Sequence, residues 1–180
     1  MKVWLENSWV PEHPGATITY DALKANPPHE LLGVDRETYL SSLDAFRLSG
    51  RYDRMEPNRV VLEWFQAHGA GSRHVALTRA PMAAAHISAA WVMKHFGVWI
   101  RTFHLIPSPR RRQELPVYDG NKGEYLAHIG GADLLIDDAM DNAGSALESG
   151  VKTLLFPRPW NTSRMSVNQL LDEITRIVKR

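Results

Sequence analysis

Cysteine is absent from the 180 residues of the chain, and this absence excludes several kinds of chemistry at once. Disulfide bonds, a catalytic thiolate and Cys-ligated zinc are impossible, and the composition is compatible with a reducing compartment. An excess of either charge is also absent, because 21 Lys and Arg stand against 20 Asp and Glu. No overall field therefore favours a nucleic acid polymer or an anionic membrane as partner. For the one local cluster, Arg110 to Arg112 in a Pro-rich loop, a solvated surface and a phosphate contact both stay open.

Long apolar runs are absent too. No segment has the roughly 20 consecutive apolar residues that a transmembrane helix needs. The N-terminal MKVWLENSWVPEHPG has acids and prolines where a secretory signal needs an apolar core. We therefore expect a cytoplasmic protein without a membrane partner. With 44% apolar and 23% charged residues, the composition is that of an ordinary globular domain, and it leaves a homo-oligomer open.

The most informative stretch runs from Asp133 to Phe156, DLLIDDAMDNAGSALESGVKTLLF. A short apolar run, Leu134 to Ile136, is followed directly by two adjacent acidic residues, Asp137 and Asp138, at the start of a predicted loop. A helical pattern follows, and Val151 to Phe156 is the next predicted strand. In such a strand–helix–strand unit the loop lies at the carboxyl end of a parallel strand, where open α/β sheets bind ligands.

Two interpretations of this acidic stretch remain open. Either Asp137 or Asp141 can serve simply as the N-cap of the following helix. Adjacent carboxylates at the end of a buried strand repel each other, however, and a bound Mg²⁺ removes that cost through its preference for oxygen ligands. We therefore predict a Mg²⁺ site that includes Asp137 and Asp138.

Strand and helix patterns alternate along the rest of the chain. This alternation predicts an α/β fold with a three-layer, Rossmann-like parallel sheet of about five strands and helices on both faces. The further predicted strands are Ala16–Tyr20, His74–Leu77 and Val98–Ile106. The further predicted helices contain Val60 to Phe65, begin at Pro81 and after Lys122, and close the chain from Val167 to Val178.

Residues 27–57 follow a different pattern. The segment is polar, and apolar residues repeat with helical spacing after Asp35, a suitable N-cap. We predict a small helical cap inserted after the first strand, so that residues 1–26 and 58–180 form the core domain. A cap in that position lies over the ligand-binding edge, where it can exclude water. The other interpretation is one more packed helix pair.

Four motifs at predicted strand ends or helix starts resemble those of the haloacid dehalogenase-like (HAD) superfamily. They occur in the family's order: TITYDAL around Asp21, HVALTR around Thr78, NKGEYL around Lys122 and LLIDDAMDN around Asp137 and Asp138. The closing LLFPRPWN also resembles the end of deoxyribonucleotidase-like members. Members are mostly Mg²⁺-dependent phosphatases with an aspartyl-phosphate intermediate. The resemblance therefore implies a hydrolase of a small phosphorylated metabolite or nucleotide.

The resemblance implies a role for each of these motif residues. The expected nucleophile is Asp21, and Thr78 and Lys122 are the expected catalytic partners that stabilise the transferring phosphoryl group. The residues expected to bind phosphate are Thr78, Arg79 and Lys122. The expected Mg²⁺ ligands are Asp21, the backbone carbonyl of Leu23, Asp137 and Asp138.

Leu23 departs from the family pattern, which has a second Asp at this position as general acid and base. Leucine carries no proton, and general acid–base catalysis typically contributes about 10²–10⁴-fold in rate. Two functions therefore stay open: an active phosphatase, and a catalytically inactive HAD-fold binding or scaffold protein. The register of the first motif is open as well, because KVWLENSW would place Glu6 at the position of the nucleophile.

Overall fold

The computed structural model describes residues 1–111 and 113–179. The N-terminal helical segment, α1, comprises Lys2–Trp4, a π-helical stretch Leu5–Trp9, and Val10–Glu12. The other helices are α2 (Arg36–Leu48), α3 (Arg59–His68), α4 (Ala85–Phe96), α5 (Lys122–His128), α6 (Met140–Glu148) and α7 (Val167–Val178). The strands are β1 (His74–Ala80), β2 (Ile100–Pro107), β3 (Leu135–Asp137) and β4 (Thr153–Leu155). Among the described residues, no helix is long and apolar enough to cross a bilayer.

The strands form two separate parallel sheets. β1 pairs with β2, from His74 opposite Ile100 to Ala80 opposite Pro107, with an irregularity after His74. β3 pairs with β4 in register, Leu135 lying opposite Thr153. A helical crossover, α4 or α6, joins the two strands of each pair, as parallel neighbours require. The mixed α/β class and the parallel pairing are confirmed, but the described residues do not form one continuous sheet.

The prediction of a first strand at Ala16–Tyr20 is wrong. Residues 16–19 are irregular, and the chain then enters a 3₁₀ turn at Tyr20–Ala22. Ile18 and Tyr20 pack against a buried cluster that contains Trp4 and Trp9. The β-rich segment thus buries its side chains without joining a sheet, because tertiary packing overrides its strand propensity.

The other predicted elements are confirmed, with small shifts at their ends. α3 ends directly before Gly69, and a 3₁₀ turn, Met82–Ala84, separates Pro81 from α4. The most regular element is α7, which begins with a complete capping box between Ser166 and Gln169. Such a box satisfies amide groups that a helix start otherwise leaves unpaired.

The core consists of three apolar clusters. The first lies between α1 and α2 and contains Trp4, Leu5, Trp9, Leu23, Tyr39, Leu43 and Phe46. The second joins α5, β3 and α6 to Leu77 of β1 through Leu126, Leu135, Ala146 and Val151. The third packs Leu170, Leu171 and Ile174 of α7 against Trp64, Leu134, Leu154 and Phe156. Because Leu135 and Leu134 belong to different clusters, helices cover both faces of the β3–β4 sheet.

Residues 27–57 contain α2 and a series of turns. Asp35 caps α2, as predicted, by accepting a hydrogen bond from the Thr38 amide at 2.8 Å. Asp44 of the same helix accepts two hydrogen bonds from Arg110 in the loop after β2, at 2.5 and 3.0 Å. This ion pair ties the predicted cap to the carboxyl end of β2. The domain boundaries themselves stay a prediction.

Two helical glycines, Gly123 in α5 and Gly144 in α6, provide a matched test of the helix packing. A Cβ atom at Gly123 would overlap the backbone of Ser145, whereas one at Gly144 would meet no heavy atom within 4 Å. We expect Gly123→Ala to lower the free energy of unfolding by about 2 kcal/mol, because α5 and α6 must separate. Gly144→Ala should be neutral or stabilise by up to about 1 kcal/mol. Urea unfolding of both variants checks this, and equal effects would contradict the close approach of the helices.

Candidate functional site

The carboxyl ends of β1 and β3 open into one cavity of about 740 Å³, here called the strand-end cavity. Thr78 and Arg79 reach it from β1, Asp137 and Asp138 from the end of β3, and Lys122 from α5. The remaining walls come from α1, α2 and the segment after β4, and include Tyr20, Tyr39, Phe46, Arg47, Arg158 and Trp160. The expected functional residues of three of the four motifs therefore meet at one site, as the strand–helix alternation predicted.

Lys122 connects the two sheets at this site. Its ammonium donates to the backbone carbonyl of Leu77 in β1 at 2.7 Å and to Asp137 at the end of β3 at 2.5 Å. The side chains of Lys122 and Asp137 are only 8% and 2% exposed, so the pair is shielded from water. The start of α5 holds the lysine in place, because the Asn121 side chain accepts a hydrogen bond from the Glu124 amide and caps the helix.

Asp137 has partners for both carboxylate oxygens. One oxygen accepts from Lys122, and the other accepts from the Ala139 amide at 2.8 Å and from the Asn142 side chain at 3.1 Å. The alternative interpretation of Asp137 as the N-cap of α6 is not what the structure shows, since the N-cap position is Ala139. Asp137 therefore acts as a structural counter-ion that fixes the ammonium of Lys122.

Asp138 is in a different environment. Burial raises the pKa of its carboxyl group above the ordinary value, and the neighbouring Asp137 raises it further, whereas Arg158 and Lys122 oppose the shift. The backbone carbonyl of Asp138 accepts hydrogen bonds from Trp160 at 3.2 Å and from Asn161 at 3.0 Å. The segment after β4 thus fixes the backbone here, while the carboxyl group is poorly solvated inside the cavity.

Of the first motif, Tyr20 lines the strand-end cavity, but the expected nucleophile Asp21 and its neighbour Leu23 do not. Asp21 is exposed in the turn at Tyr20–Ala22, where its backbone carbonyl accepts a hydrogen bond from Lys24. Leu23 is fully buried in the cluster between α1 and α2. Glu6, the nucleophile position of the alternative register, is exposed on α1, and its carboxylate lies 3.9 Å from the ammonium of Lys2. Neither register places a carboxylate in the cavity wall.

The predicted Mg²⁺ ligands do not fit a metal site in this arrangement. Both oxygens of Asp137 are engaged by protein donors, and Asp21 and Leu23 are not part of the cavity lining. No group of three or more His, Asp or Glu side chains that could hold a metal ion occurs in residues 1–111 and 113–179. Of the predicted ligands, Asp138 alone lines the cavity with a carboxyl group that accepts no hydrogen bond from another described residue.

Cationic side chains dominate the charge of the cavity. Seven Lys and Arg line it, against three Asp. Acids already hold three of these cations, because Asp137 pairs with Lys122 and Asp44 pairs with both Arg47 and Arg110. Three others have no acidic partner within 4 Å in the described part of the chain: Arg36, Arg79 and Arg158. The lining is therefore suited to an anion.

Several of these wall residues were not found by sequence reasoning. Arg36 lies in the first turn of α2, and Arg158 and Trp160 lie in the segment after β4. The position of PRPWN directly after a parallel strand was an available signal, since such segments emerge at the ligand-binding edge. Of the predicted basic cluster, Arg110 binds Asp44, Arg111 makes an exposed ion pair with Glu37 at 3.1 Å, and Arg112 lies outside the described residues.

No protein-family model matches the chain, and no curated protein or solved structure is similar to it at a significant level. Membership of the HAD-like superfamily accordingly stays a hypothesis. Its support is local: the order of the motifs in the sequence, and the meeting of Thr78, Lys122, Asp137 and Asp138 in one cavity.

The buried pair of Lys122 and Asp137 predicts a strong thermodynamic coupling. Lys122→Met should lower the free energy of unfolding by about 3–5 kcal/mol, because it leaves the Asp137 carboxylate buried without a counter-charge. Combining it with Asp137→Asn removes that charge, so the double variant should lose less than the sum of the single variants. Chemical denaturation at neutral pH measures all three variants. Purely additive losses would show that the two side chains do not interact.

The raised pKa of Asp138 predicts a pH-dependent effect of Asp138→Asn. A carboxyl group whose pKa is higher in the folded state contributes stability at pH below its unfolded pKa, and loses that contribution as pH rises through the folded pKa. The neutral amide of the variant should therefore make the protein more stable than the wild type at pH 7, and the difference should shrink as pH falls through the raised folded pKa and be nearly gone below about pH 4. Thermal unfolding across this range tests it, with exposed Asp133→Asn as the control. A variant less stable than the wild type at pH 7 would contradict the desolvation of Asp138.

Proposed function

We propose that the strand-end cavity binds a small phosphorylated molecule, a metabolite or a nucleotide, and that the protein is a HAD-like α/β protein. The observation that carries the proposal is the set of cationic side chains without acidic partners around the carboxyl ends of β1 and β3: Arg36, Arg79 and Arg158. Guanidinium groups match phosphate oxygens through paired, charge-assisted hydrogen bonds. Thr78 adds a hydroxyl group at the same edge.

The size and the walls of the cavity support a small organic ligand. A volume of about 740 Å³ falls within the range of small-molecule sites. Aromatic side chains form the side nearest α1 and α2, where Tyr20 and Trp160 meet edge to face at 5.8 Å. Such rings offer flat apolar surface to a nucleobase or a sugar, while the arginines hold the phosphate. This combination favours a nucleotide among phosphorylated ligands.

The proposal includes a three-layer Rossmann-like core with residues 27–57 as its helical cap. The coverage of both faces of the β3–β4 sheet supports the layers. The contribution of Arg36, Tyr39 and Arg47 to the cavity wall supports the cap. A cytoplasmic location belongs to the same proposal, and the absence of cysteine is consistent with it.

A second candidate function is Mg²⁺-dependent hydrolysis of a phosphate ester through an aspartyl-phosphate. The presence of Lys122 and Thr78 in one cavity wall favours it, because an ammonium and a hydroxyl group can stabilise charge on a transferring phosphoryl group. Of the predicted Mg²⁺ ligands, only Asp138 lines the cavity with a carboxyl group that other described residues do not hold, so this candidate also lacks a complete metal site. The nucleophile is not in place, however, since Asp21 is exposed outside the cavity and Leu23 cannot act as general acid. Binding without turnover is the function that the arrangement supports best.

Binding is tested by titrating the protein with AMP and with adenosine while following tryptophan fluorescence. We expect AMP to bind and adenosine to bind far more weakly, because the arginines recognise the phosphate. Arg79→Gln and Arg158→Gln should each weaken AMP binding by about 10- to 100-fold, the loss of a charge-assisted hydrogen bond. Arg59→Gln is the matched control, since Arg59 is an exposed residue of α3 paired with Glu63 outside the cavity.

Equal affinity for AMP and adenosine, or an Arg59→Gln effect as large as that of Arg79→Gln, would contradict the proposal. Phosphate release with and without Mg²⁺ then separates the two candidates. Binding without release supports the first candidate. Mg²⁺-dependent release that is lost in Asp138→Asn supports the second candidate. If phosphate release is lost in Asp21→Asn as well, Asp21 is the nucleophile, and the first motif must rearrange to bring it into the cavity.

A further inference from the structure

The wall of the strand-end cavity next to α2 contains a cluster of two arginines that share one aspartate. Asp44 accepts a hydrogen bond from Arg47 at 2.9 Å and two from Arg110, in the loop after β2, at 2.5 and 3.0 Å. The side chains of Arg47, Asp44 and Arg110 are only 20%, 18% and 16% exposed. Two guanidinium charges therefore share one carboxylate, and no second acid lies within 4 Å of them in the described part of the chain.

Arg47 is the member of this cluster that is available to a ligand. A largely buried charge is costly unless it has a partner of opposite charge, so the excess positive charge favours an anion. Arg110 is already engaged through all three nitrogens, which donate to Asp44, Ser108 and Pro109. Arg47 donates only through Nη1, so its Nε and Nη2 groups have no acceptor among the described residues. Because Arg47 lines the cavity, these two groups can bind an anion there.

Tyr39, two turns before Arg47 on the same face of α2, provides an independent observation. The residue is 2% exposed, and its ring packs edge to face on Trp4 at 5.5 Å. The hydroxyl group has one hydrogen-bond partner in the described part of the chain, the Met1 sulfur at 4.0 Å, and a thioether is a weak acceptor. Burial raises the pKa of Tyr39 to about 12, so the hydroxyl group stays protonated at neutral pH. A buried donor that lines a cavity without a strong acceptor is suited to an acceptor on a ligand.

These donors belong to a different group of charges from the residues at the strand ends. Burial raises the pKa of both Tyr39 and Asp138, but the charged neighbours that shift the two pKa values further are not the same. Those of Tyr39 are Arg47, Asp44, Arg110 and Arg36, and those of Asp138 are Asp137, Arg158 and Lys122. The cavity wall thus carries two groups of cations, one at α2 and one at the strand ends.

We propose that Arg47 and Tyr39, with Arg36 at the exposed rim, form a second anion subsite, and that the cavity binds a nucleotide with two separate phosphate groups, such as a nucleoside 3′,5′-bisphosphate. Arg79 and Arg158 hold the first phosphate, and the subsite at α2 holds the second. The inference rests on the proposed function, because the second phosphate adds affinity to a nucleotide that the strand ends already bind.

The charge of the subsite fits a phosphate better than a carboxylate. The cluster around Asp44 has one excess positive charge, and Arg36 adds another. A phosphate group carries about −1.5 to −2 at pH 7 and offers three strong acceptor oxygens, whereas a carboxylate carries only about −1. Three acceptor oxygens also match three donor side chains: Arg47, Tyr39 and Arg36. Asp44 and Arg110 are positioning residues, since they orient Arg47.

Isothermal titration calorimetry with adenosine 3′,5′-bisphosphate, AMP and ADP tests the second subsite. We expect the bisphosphate to bind at least about tenfold more tightly than AMP, the gain from one charge-assisted hydrogen bond. ADP carries its extra phosphate next to the first, so it should gain less than about threefold at physiological ionic strength, where general attraction is screened. Equal affinities for the bisphosphate and AMP would overturn the proposal. A gain from ADP as large as that from the bisphosphate would overturn it too, because added charge alone would then explain both.

Two substitutions in the subsite test the residues themselves. Tyr39→Phe removes the hydroxyl group and keeps the ring on Trp4, and Arg47→Gln removes the free guanidinium while Asp44 keeps Arg110. Each should reduce the ratio of bisphosphate affinity to AMP affinity by at least about fivefold. Tyr118→Phe, at a residue 88% exposed outside the cavity, should leave this ratio as in the wild type. An unchanged ratio in Tyr39→Phe and Arg47→Gln would overturn the assignment.

Thermal unfolding separates a loss of recognition from a loss of folding. Tyr39→Phe should not lower the unfolding temperature, because the hydroxyl group makes no strong hydrogen bond in the protein alone. Its loss of bisphosphate affinity then reports the missing donor. A large fall in the unfolding temperature would contradict this account of the hydroxyl group.

Failure of this inference can be distinguished from failure of the proposed function. If AMP binds no better than adenosine, the proposed function fails and the second subsite fails with it. If AMP binds better than adenosine and Arg158→Gln weakens that binding, but the bisphosphate gains nothing over AMP, only the second subsite is wrong.

Discussion

The ion pair between Lys122 and Asp137 is the interaction on which the rest of the site depends. The two sheets share no backbone hydrogen bond among the described residues, so the ammonium that touches Leu77 and Asp137, together with the cluster around Leu126, sets their relative position. Transferring both charges out of water is unfavourable, and the pair is therefore better explained by the geometry that it imposes than by a gain in stability. That geometry aligns the ends of β1 and β3 around one opening.

The two adjacent aspartates have different surroundings in the fold, which a pair of acidic residues in a sequence does not reveal. Consecutive residues at a strand end point in different directions, so Asp137 turns inward to Lys122 and Asn142 while Asp138 faces the cavity. The carboxylate of Asp137 therefore has hydrogen-bond donors for both of its oxygens, whereas the carboxyl group of Asp138 is desolvated. A motif of two acids therefore identifies a place in the fold, but the donors that surround each acid decide its chemistry.

The sequence alone was sufficient to predict those helices and strands whose signals lie within a few neighbouring residues. The periodicity and capping box of α7, the strand that ends near Thr78, and the strand–loop–helix unit around Asp137 needed no knowledge of distant residues. The first strand at Ala16–Tyr20 was not predictable in this way, because strand propensity does not reveal whether a sheet edge is within reach. The pairing of Asp44 with Arg110 across 66 residues, and the position of Arg158, likewise depend on contacts that only the folded chain brings together.

The outer edges of β1 and β3, which have no strand beside them among the described residues, also bear on how the protein behaves in concentrated solution. Natural sheets protect their outer strands with lysine, proline or a local kink, since unprotected strands nucleate aggregation. Val75 and Ile136 offer none of these safeguards, and the net formal charge of +1 provides little long-range repulsion between molecules. The solubility of the purified protein should accordingly depend on these two edges as well as on its surface composition.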